Sequence, residues 1–280
     1  MKNKAFDLKT FARYSPYLIL LLLCIGMSIV SDSFLKWTNL LNVLKQSSFL
    51  LVMALGMTFA MILGRGADMS LGATVAISSC LSAFFLKSSC SVPTLILGFV
   101  ISLGIGALVG LINGALVSYL RLPALLVTYG MQNILRGVIY SIMEGDIVTN
   151  LHKSVSFLGA GMIGKIPVPI IIAALLTLLT AFILKKTELG RKLYVVGANA
   201  EAARFSGIKS NLVIIAGFAC TGIMAAIAGL MYIGRLGTAE AQIGAEFHLN
   251  AIAAAAIGGV SFNGGIANIG GVVAGAIILN

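Results

Sequence analysis

Residues 94–120 read Thr-Leu-Ile-Leu-Gly-Phe-Val-Ile-Ser-Leu-Gly-Ile-Gly-Ala-Leu-Val-Gly-Leu-Ile-Asn-Gly-Ala-Leu-Val-Ser-Tyr-Leu. No charged side chain interrupts this run. A helix needs about 20 apolar residues to cross the hydrocarbon core of a bilayer, so the stretch is long enough to span one. Its most polar side chain is Asn113. Glycine-rich apolar segments of this kind suit close packing of helices in lipid.

Working outward, the same pattern recurs. Apolar runs cover residues 16–30, 47–63, 69–86, 124–143, 167–184 and 212–234. A further run, 249–257, is too short to cross alone, and another begins at Val272 and is cut off at Asn280, so the last span is expected to be truncated. The whole chain is 59% hydrophobic and 10% charged, against roughly 25% charged in a soluble domain. Mean hydropathy is +1.04. A soluble fold of this size has too little interior to hide that much apolar surface. The expected architecture is an all-α polytopic membrane protein of about eight to ten spans. It forms one transmembrane domain over residues 1–280, with a polar loop, 185–211, inside it.

The net charge of +10 belongs to topology rather than to nucleic acid, because no aromatic-plus-basic cluster of the kind single strands need is present. Lys and Arg gather in alternate loops. With the N-terminus inside, the inner segments hold Lys2, Lys4, Lys9, Arg13, Arg65, Arg121, Lys185, Lys186, Arg191, Lys192, Arg204 and Lys209. The positive-inside rule then places 185–211 in the cytoplasm and 144–165 outside. The first apolar run lacks a small-x-small cleavage site before a polar mature domain, so it reads as a retained span. Cys24, Cys80, Cys90 and Cys220 show no CxxC or Cys/His spacing. They read as small apolar helix residues, and no metal or cofactor is expected. No nucleophile–base pair stands out, so no enzyme active site is expected either. No long soluble domain occurs on either side, and the energy for any transport must come from a partner.

The loop 185–211 contains a short helix by its own chemistry. Asn199 is a good N-cap. Glu201 in the first turn and Arg204 near the last suit the helix dipole, and Gly207 can end the helix in a left-handed conformation. Ala202, Phe205 and Ile208 make a small apolar face between the glycines at 197 and 207. Two readings fit: a docking knob for a partner, or an amphipathic loop helix lying on the membrane.

The stretch Gly190-Arg191 followed by Gly197-x-Asn199-x-Glu201-Ala202-Ala203-Arg204-x-Ser206-Gly207-Ile208 resembles the coupling loop of ribose-type ABC importer permeases. Three further stretches agree in order. Gly56-Met57-Thr58 with Asp68-Met69-Ser70-Leu71-Gly72 resembles the family's second-to-third helix junction. Pro123-Ala124, Thr128-x-Gly130-Met131 and Leu135-Arg136-Gly137 resemble its fifth helix. Asn250-Ala251-Ile252-Ala253-Ala254 with Gly258-Gly259-x-Ser261-x-x-Gly264-Gly265 resembles its late glycine-rich segment. The chain departs from the family at Arg65 and Ala67, where a small and a β-branched residue are usual. The resemblance implies a permease subunit in the inner membrane of a bacterium, working with a cytoplasmic ABC ATPase, a second permease subunit (a copy or a relative) and an extracytoplasmic solute-binding protein. It implies ATPase coupling through Gly197, Asn199, Glu201, Ala202, Arg204, Phe205, Gly207 and Ile208, and a sugar or sugar-derived solute.

For the pathway, small and uncharged polar groups are expected. Asn113, Thr128, Gln132, Asn133 and Asn250 are the candidates, each also able to serve as a plain helix–helix hydrogen bond. Asp68 can cap a helix starting at Met69 or line the pathway, and Arg65 stands close enough to pair with it. His152, His248, Glu240 and Glu246 read as outer loop groups. Residues 258–271 lack Gly-Lys-Ser/Thr and follow no strand, so they are no phosphate loop; a re-entrant hairpin is one possible path. Two other functions fit parts of the pattern: an ion-coupled secondary transporter, which needs buried acids, and a non-conducting membrane assembly subunit.

Overall fold

A computed structural model of the chain describes residues 8–280, with side chains from Tyr14 onward. Lys2 and Lys4 lie outside the described residues, and the side chains of Lys9 and Arg13 likewise. Twelve helices make up most of the described chain. They are α1 (Leu8–Val30), α2 (Trp37–Met61), α3 (Leu71–Ala83), α4 (Val92–Tyr119), α5 (Ala124–Met143), α6 (Lys153–Ala160), α7 (Val168–Lys186), α8 (Glu188–Ala198), α9 (Ala200–Phe205), α10 (Ser210–Leu236), α11 (Phe247–Ile257) and α12 (Ile269–Ile278). A two-residue antiparallel pair, β1 (Met162–Ile163) with β2 (Ile166–Pro167), turns the chain between α6 and α7.

Four helices, α2, α4, α7 and α10, are long and apolar enough to cross a membrane, and α3, α11, α12 and the Tyr14–Val30 part of α1 are shorter apolar helices. The long four divide by position. The most apolar windows of α2 and α10 are 61% buried and those of α4 and α7 are 28% buried. The first two therefore form the centre, and the second two present most of their surface outward. Lipid solvates that surface, so an outward aliphatic face costs nothing there.

Close backbone approach holds the centre together. A Cβ added at Gly106 would meet the Gly222 carbonyl oxygen, and one at Gly110 would meet that of Phe218. One at Gly114 would meet Ile215 Cα at 2.6 Å. As the α4 number rises the α10 number falls, so the two helices run antiparallel. Thr221 Oγ1 donates to the Gly56 carbonyl at 2.9 Å and joins α10 to α2.

This pairing defines the two ends of the bundle. At one end lie the close of α4, the start of α5, the start of α10 and the α8–α9 pair. At the other, an isolated bridge pairs Val148 with Ala239 and another pairs Lys87 with Leu151. The segment after Ala239 turns inward rather than staying at the surface. Cys80 Sγ contacts the Glu240 carbonyl at 3.2 Å, and a Cβ at Gly72 would meet the Gly244 carbonyl. The chain thus descends along α3 before α11 starts.

Several sequence expectations change. The gap between the apolar runs 16–30 and 47–63 is largely helical: α2 begins at Trp37, because Trp37, Leu40, Leu41 and Leu44 continue the apolar pattern through its polar residues. The loop 144–165 carries α6 and the start of the β pair. His248 is buried in α11, 6% exposed, rather than an outer loop group. Residues 258–268 form a non-helical turn between α11 and α12, with left-handed Gly259, Gly264 and Gly265.

Candidate functional site

Two regions hold the residues the sequence singles out. The first is the α8–α9 pair. Thr187 caps α8, its Oγ1 accepting from Gly190 N at 3.2 Å. Glu188 and Lys192, one turn apart, form an ion pair at 2.6 Å, and this bond holds the Glu188 carboxyl below the usual carboxylate range. Burial pushes the Tyr194 phenol up. Asn199 then serves as N-cap of α9: its Oδ1 accepts from Glu201 N at 3.0 Å and Ala202 N at 2.9 Å. At the far end Ile208 N donates to Ala203 O and Gly207 N to Arg204 O, both at 3.0 Å. With Gly207 at φ +81° this is a Schellman closure, which satisfies the orphan carbonyls of a six-residue helix.

The closed helix shows one side to its neighbours and one to solvent. Ala203 is fully buried, Ile208 half-buried, and Ala202, Arg204 and Glu201 exposed. Phe205 is 85% exposed. The apolar face expected from Ala202, Phe205 and Ile208 is therefore split: Ile208 turns partly into the protein, and Phe205 projects.

The pair is seated by glycine. A Cβ at Gly197 would meet the Ile62 carbonyl oxygen and Gly265 N, and one at Gly264 would meet Gly64 N and the Gly197 carbonyl. Gly265 N donates to the Ile62 carbonyl at 2.9 Å. The end of α8, the end of α2 and the turn before α12 thus meet backbone to backbone. By sequence Gly197 belongs to the loop alone; the glycines at 64, 264 and 265 complete its seat, and the need for close backbone approach is the one signal that links them.

The second region is a polar junction in the break between α2 and α3. Asp68 is 2% exposed. Its Oδ1 accepts from Ser70 N at 2.9 Å and Ser70 Oγ at 2.6 Å. Asn113 of α4 donates from Nδ2 to Ser70 Oγ at 2.8 Å. Thr128 of α5 accepts from Met69 N at 2.9 Å and donates to the Ala124 carbonyl at 2.8 Å. Asp68, Asn113 and Thr128 are thus brought to one place, joining α3, α4 and α5 to the break. Ser70, which enters the sequence reading only as one member of the junction motif, is the hub. The break itself corrects two expectations. Arg65 is exposed, and Asp68 takes Ser70 instead of Arg65. The helix starts at Leu71, not Met69, with Ser70 at the N-cap.

The remaining candidates stand elsewhere. Asn133 is exposed and bonds back to the Tyr129 carbonyl at 2.8 Å within its own helix. Asn250 is exposed on α11 and lines a cleft of about 180 Å³ with Phe49, Tyr232, Arg235 and Asn280. Gln132 Oε1 is buried without a partner, as are Asn113 Oδ1, Arg136 Nη2 and His248 Nδ1. Arg136 donates from Nη1 to the Ala241 carbonyl at 2.7 Å, tying α5 to the descending segment. The open valences of these groups suit ordered water, which buried polar groups ordinarily recruit.

Apolar helices broken around a buried polar junction, with a capped helix pair exposed at one end, make a multi-pass membrane permease. Residues 39–280 match the family described as the branched-chain amino acid transport system / permease component, and the chain belongs to that family. It is similar to the galactose/methyl galactoside import permease protein MglC of Haemophilus influenzae, 33% identical over 297 residues that cover 99% of this chain and 86% of the relative. The ribose import permease protein RbsC of Bacillus subtilis is 36% identical over 269 residues, 95% of this chain and 82% of the relative. The D-allose transport system permease protein AlsC of Escherichia coli is 34% identical over 281 residues, 99% of this chain and 85% of the relative. No solved structure matches the chain.

Proposed function

We propose that this chain is the translocating subunit of an ATP-driven importer for a sugar or sugar-like solute, and that residues 197–208 receive force from a cytoplasmic ATPase. The observation that carries the second half is the exposed Phe205 on a helix closed at both ends, whose base is seated without side chains against the end of α2. The bundle leaves that side chain uncovered, as a docking knob requires. The first half is supported by relatives named as importers of ribose, galactose and allose. The neutral hydrogen bonds of Asn113 and Thr128 suit a polyhydroxy solute.

In this reading ATP binding draws two ATPases together, the α9 helices follow, and the motion enters the bundle through α2 and the 258–265 turn. The partners are the ATPase, a second permease subunit and an external solute-binding protein. The chain sits in the plasma (inner) membrane of a bacterium, N-terminus and α9 both cytoplasmic. The pathway residues proposed are Asp68, Asn113, Thr128, Gln132, Asn133 and Asn250, the first three acting as its fixed wall.

The test is uptake of labelled ribose, galactose and allose into vesicles holding this chain with its ATPase and solute receptor. ATP-dependent uptake of at least one sugar is expected, unaffected by proton and sodium ionophores. Replacing Phe205 by Asp should lower it about 30-fold, the scale of losing a central anchor at an interface. Uptake that follows an ion gradient, or that ignores Phe205→Asp, would refute the reading.

A further inference from the structure

A pocket of about 400 Å³ opens where α4 ends and α10 begins. Its walls include Tyr119, Arg121, Arg204, Lys209 and Leu212. Arg121, Arg204 and Lys209 are all exposed, and no acidic residue lines the pocket. None of the three pairs with a carboxylate among the described residues; the ion pair found there is that of Glu188 with Lys192. Three cations left together beside a cavity repel one another, and an anion between them relieves that repulsion. Arg121 is moreover held at φ +54°, a left-handed conformation that few non-glycine residues adopt.

The apolar part of the pocket says which kind of anion. Leu212 is 53% exposed and Tyr119 60%. Leu120 beside it is exposed too. Tyr119 and Leu120 continue the outward aliphatic surface of α4, which lipid covers, and Leu212 of α10 lines the same pocket. A cationic wall at the end of a spanning helix, opening onto an acyl-facing lip with a tyrosine at the boundary, matches the two halves of a phospholipid. Tyrosine favours the headgroup level, and basic pockets between spans bind anionic headgroups.

We infer that this pocket holds an anionic phospholipid, its phosphate bonded between Arg121, Arg204 and Lys209 and its chains lying along Leu212 and Leu120. Guanidinium groups offer the phosphate paired donors. Ser210 Oγ, at the same place, donates to the Ala200 carbonyl at 3.1 Å, so the lipid would sit at the root of α9 and fasten α4, α9 and α10 together. The inference asks only that this end of the bundle lie at headgroup level, and it holds whether or not α9 engages an ATPase.

The experiment is native mass spectrometry of the full chain released from micelles, titrated with phosphatidylglycerol and, separately, phosphatidylcholine. A saturable phosphatidylglycerol adduct is expected, with phosphatidylcholine binding much weaker. The double variant Arg121→Gln/Lys209→Gln should weaken the phosphatidylglycerol adduct about 30-fold, from roughly tenfold or less per basic residue. The charge-keeping variant Arg121→Lys/Lys209→Arg should retain most of it, and Lys153→Gln/Lys165→Gln, with the same loss of charge at the opposite end, should not weaken it. Equal binding of the two lipids overturns the inference, as does equal weakening by the two Gln pairs. Displacement of the adduct by inorganic phosphate alone would reassign the pocket to a soluble anion. Unchanged lipid binding in Arg121→Gln/Lys209→Gln, with lost binding of the ATPase subunit, would reassign it to an acidic protein surface.

Discussion

The polar junction at Asp68 and the helix α9 use polar chemistry in opposite ways. At the junction the donors and acceptors of three helices turn inward, and Asp68, Ser70, Asn113 and Thr128 are all within 2% of full burial. In α9 Asn199 and Gly207 satisfy the backbone locally, leaving Phe205 and Arg204 turned outward. A group that spends its hydrogen bonds between distant segments fixes those segments together. A group that spends them on its own helix leaves that helix to move as a unit about its root, here the bond from Ser210 Oγ to the Ala200 carbonyl. In the proposed function the difference separates a wall from a lever.

The sharpest way to break the comparison is to exchange the two effects. Phe205→Asp should nearly abolish ATP-driven uptake and leave the midpoint of thermal unfolding of the isolated chain unchanged, since an exposed substitution moves stability by about 0.5 kcal/mol or less. A large fall in midpoint would show that Phe205 is part of the core after all. Asp68→Ala should do the reverse to stability. It strands Ser70 N and leaves the Ser70 hydroxyl without its acceptor, at a cost of about 2–3 kcal/mol, read as a drop in unfolding midpoint. Asp68→Asn keeps an acceptor oxygen there and should recover most of that loss.

Asn199→Ala comes next. Losing an N-cap costs about 1 kcal/mol, and here the loss should stay inside α9. Amide exchange at Glu201 and Ala202 should quicken about fivefold while core amides of α10 do not change. Spread of the effect into α10 would mean that α9 is no separate unit. The smallest effect belongs to the Glu188–Lys192 pair. The Glu188 carboxyl is held low in the folded chain, so its contribution is complete above the ordinary carboxylate pKa and is lost as pH falls through the lowered value. Between pH 8 and pH 6 Glu188→Gln should therefore shift the unfolding midpoint by the same small amount throughout. A difference that grows with falling pH in that window would contradict this.

Much of this division was legible before any coordinates. The apolar runs located the spans, and α5 begins and ends where its run does. The caps of α9 were readable because capping depends on residue types a few positions apart. What escaped were features that depend on distant segments. Ser70 carries no signal of its own; its role exists only because Asn113 and Asp68 reach it from either side. His248 was read as a loop group because polar residues surround it in sequence, whereas the segment before it folds inward along α3 and buries it. Trp37 to Asn42 read as part of a polar stretch because Thr and Asn stand among the leucines, yet helix α2 needs only one face of those turns to be apolar. Gly264 and Gly265 suit tight turns and close crossings by residue type, but that Gly64 and Gly197 are what they meet required knowing that these three segments converge.

That convergence has a mechanical corollary. Side chains act as springs: they switch rotamers, tilt and absorb small displacements. Where Gly197 rests on Ile62 and Gly264 rests on Gly64, no such spring is present, and the main chains bear on each other directly. A push on α8 therefore reaches α2 with little slack. A single added methyl at Gly197 would act as a wedge in that bearing, forcing the two main chains apart.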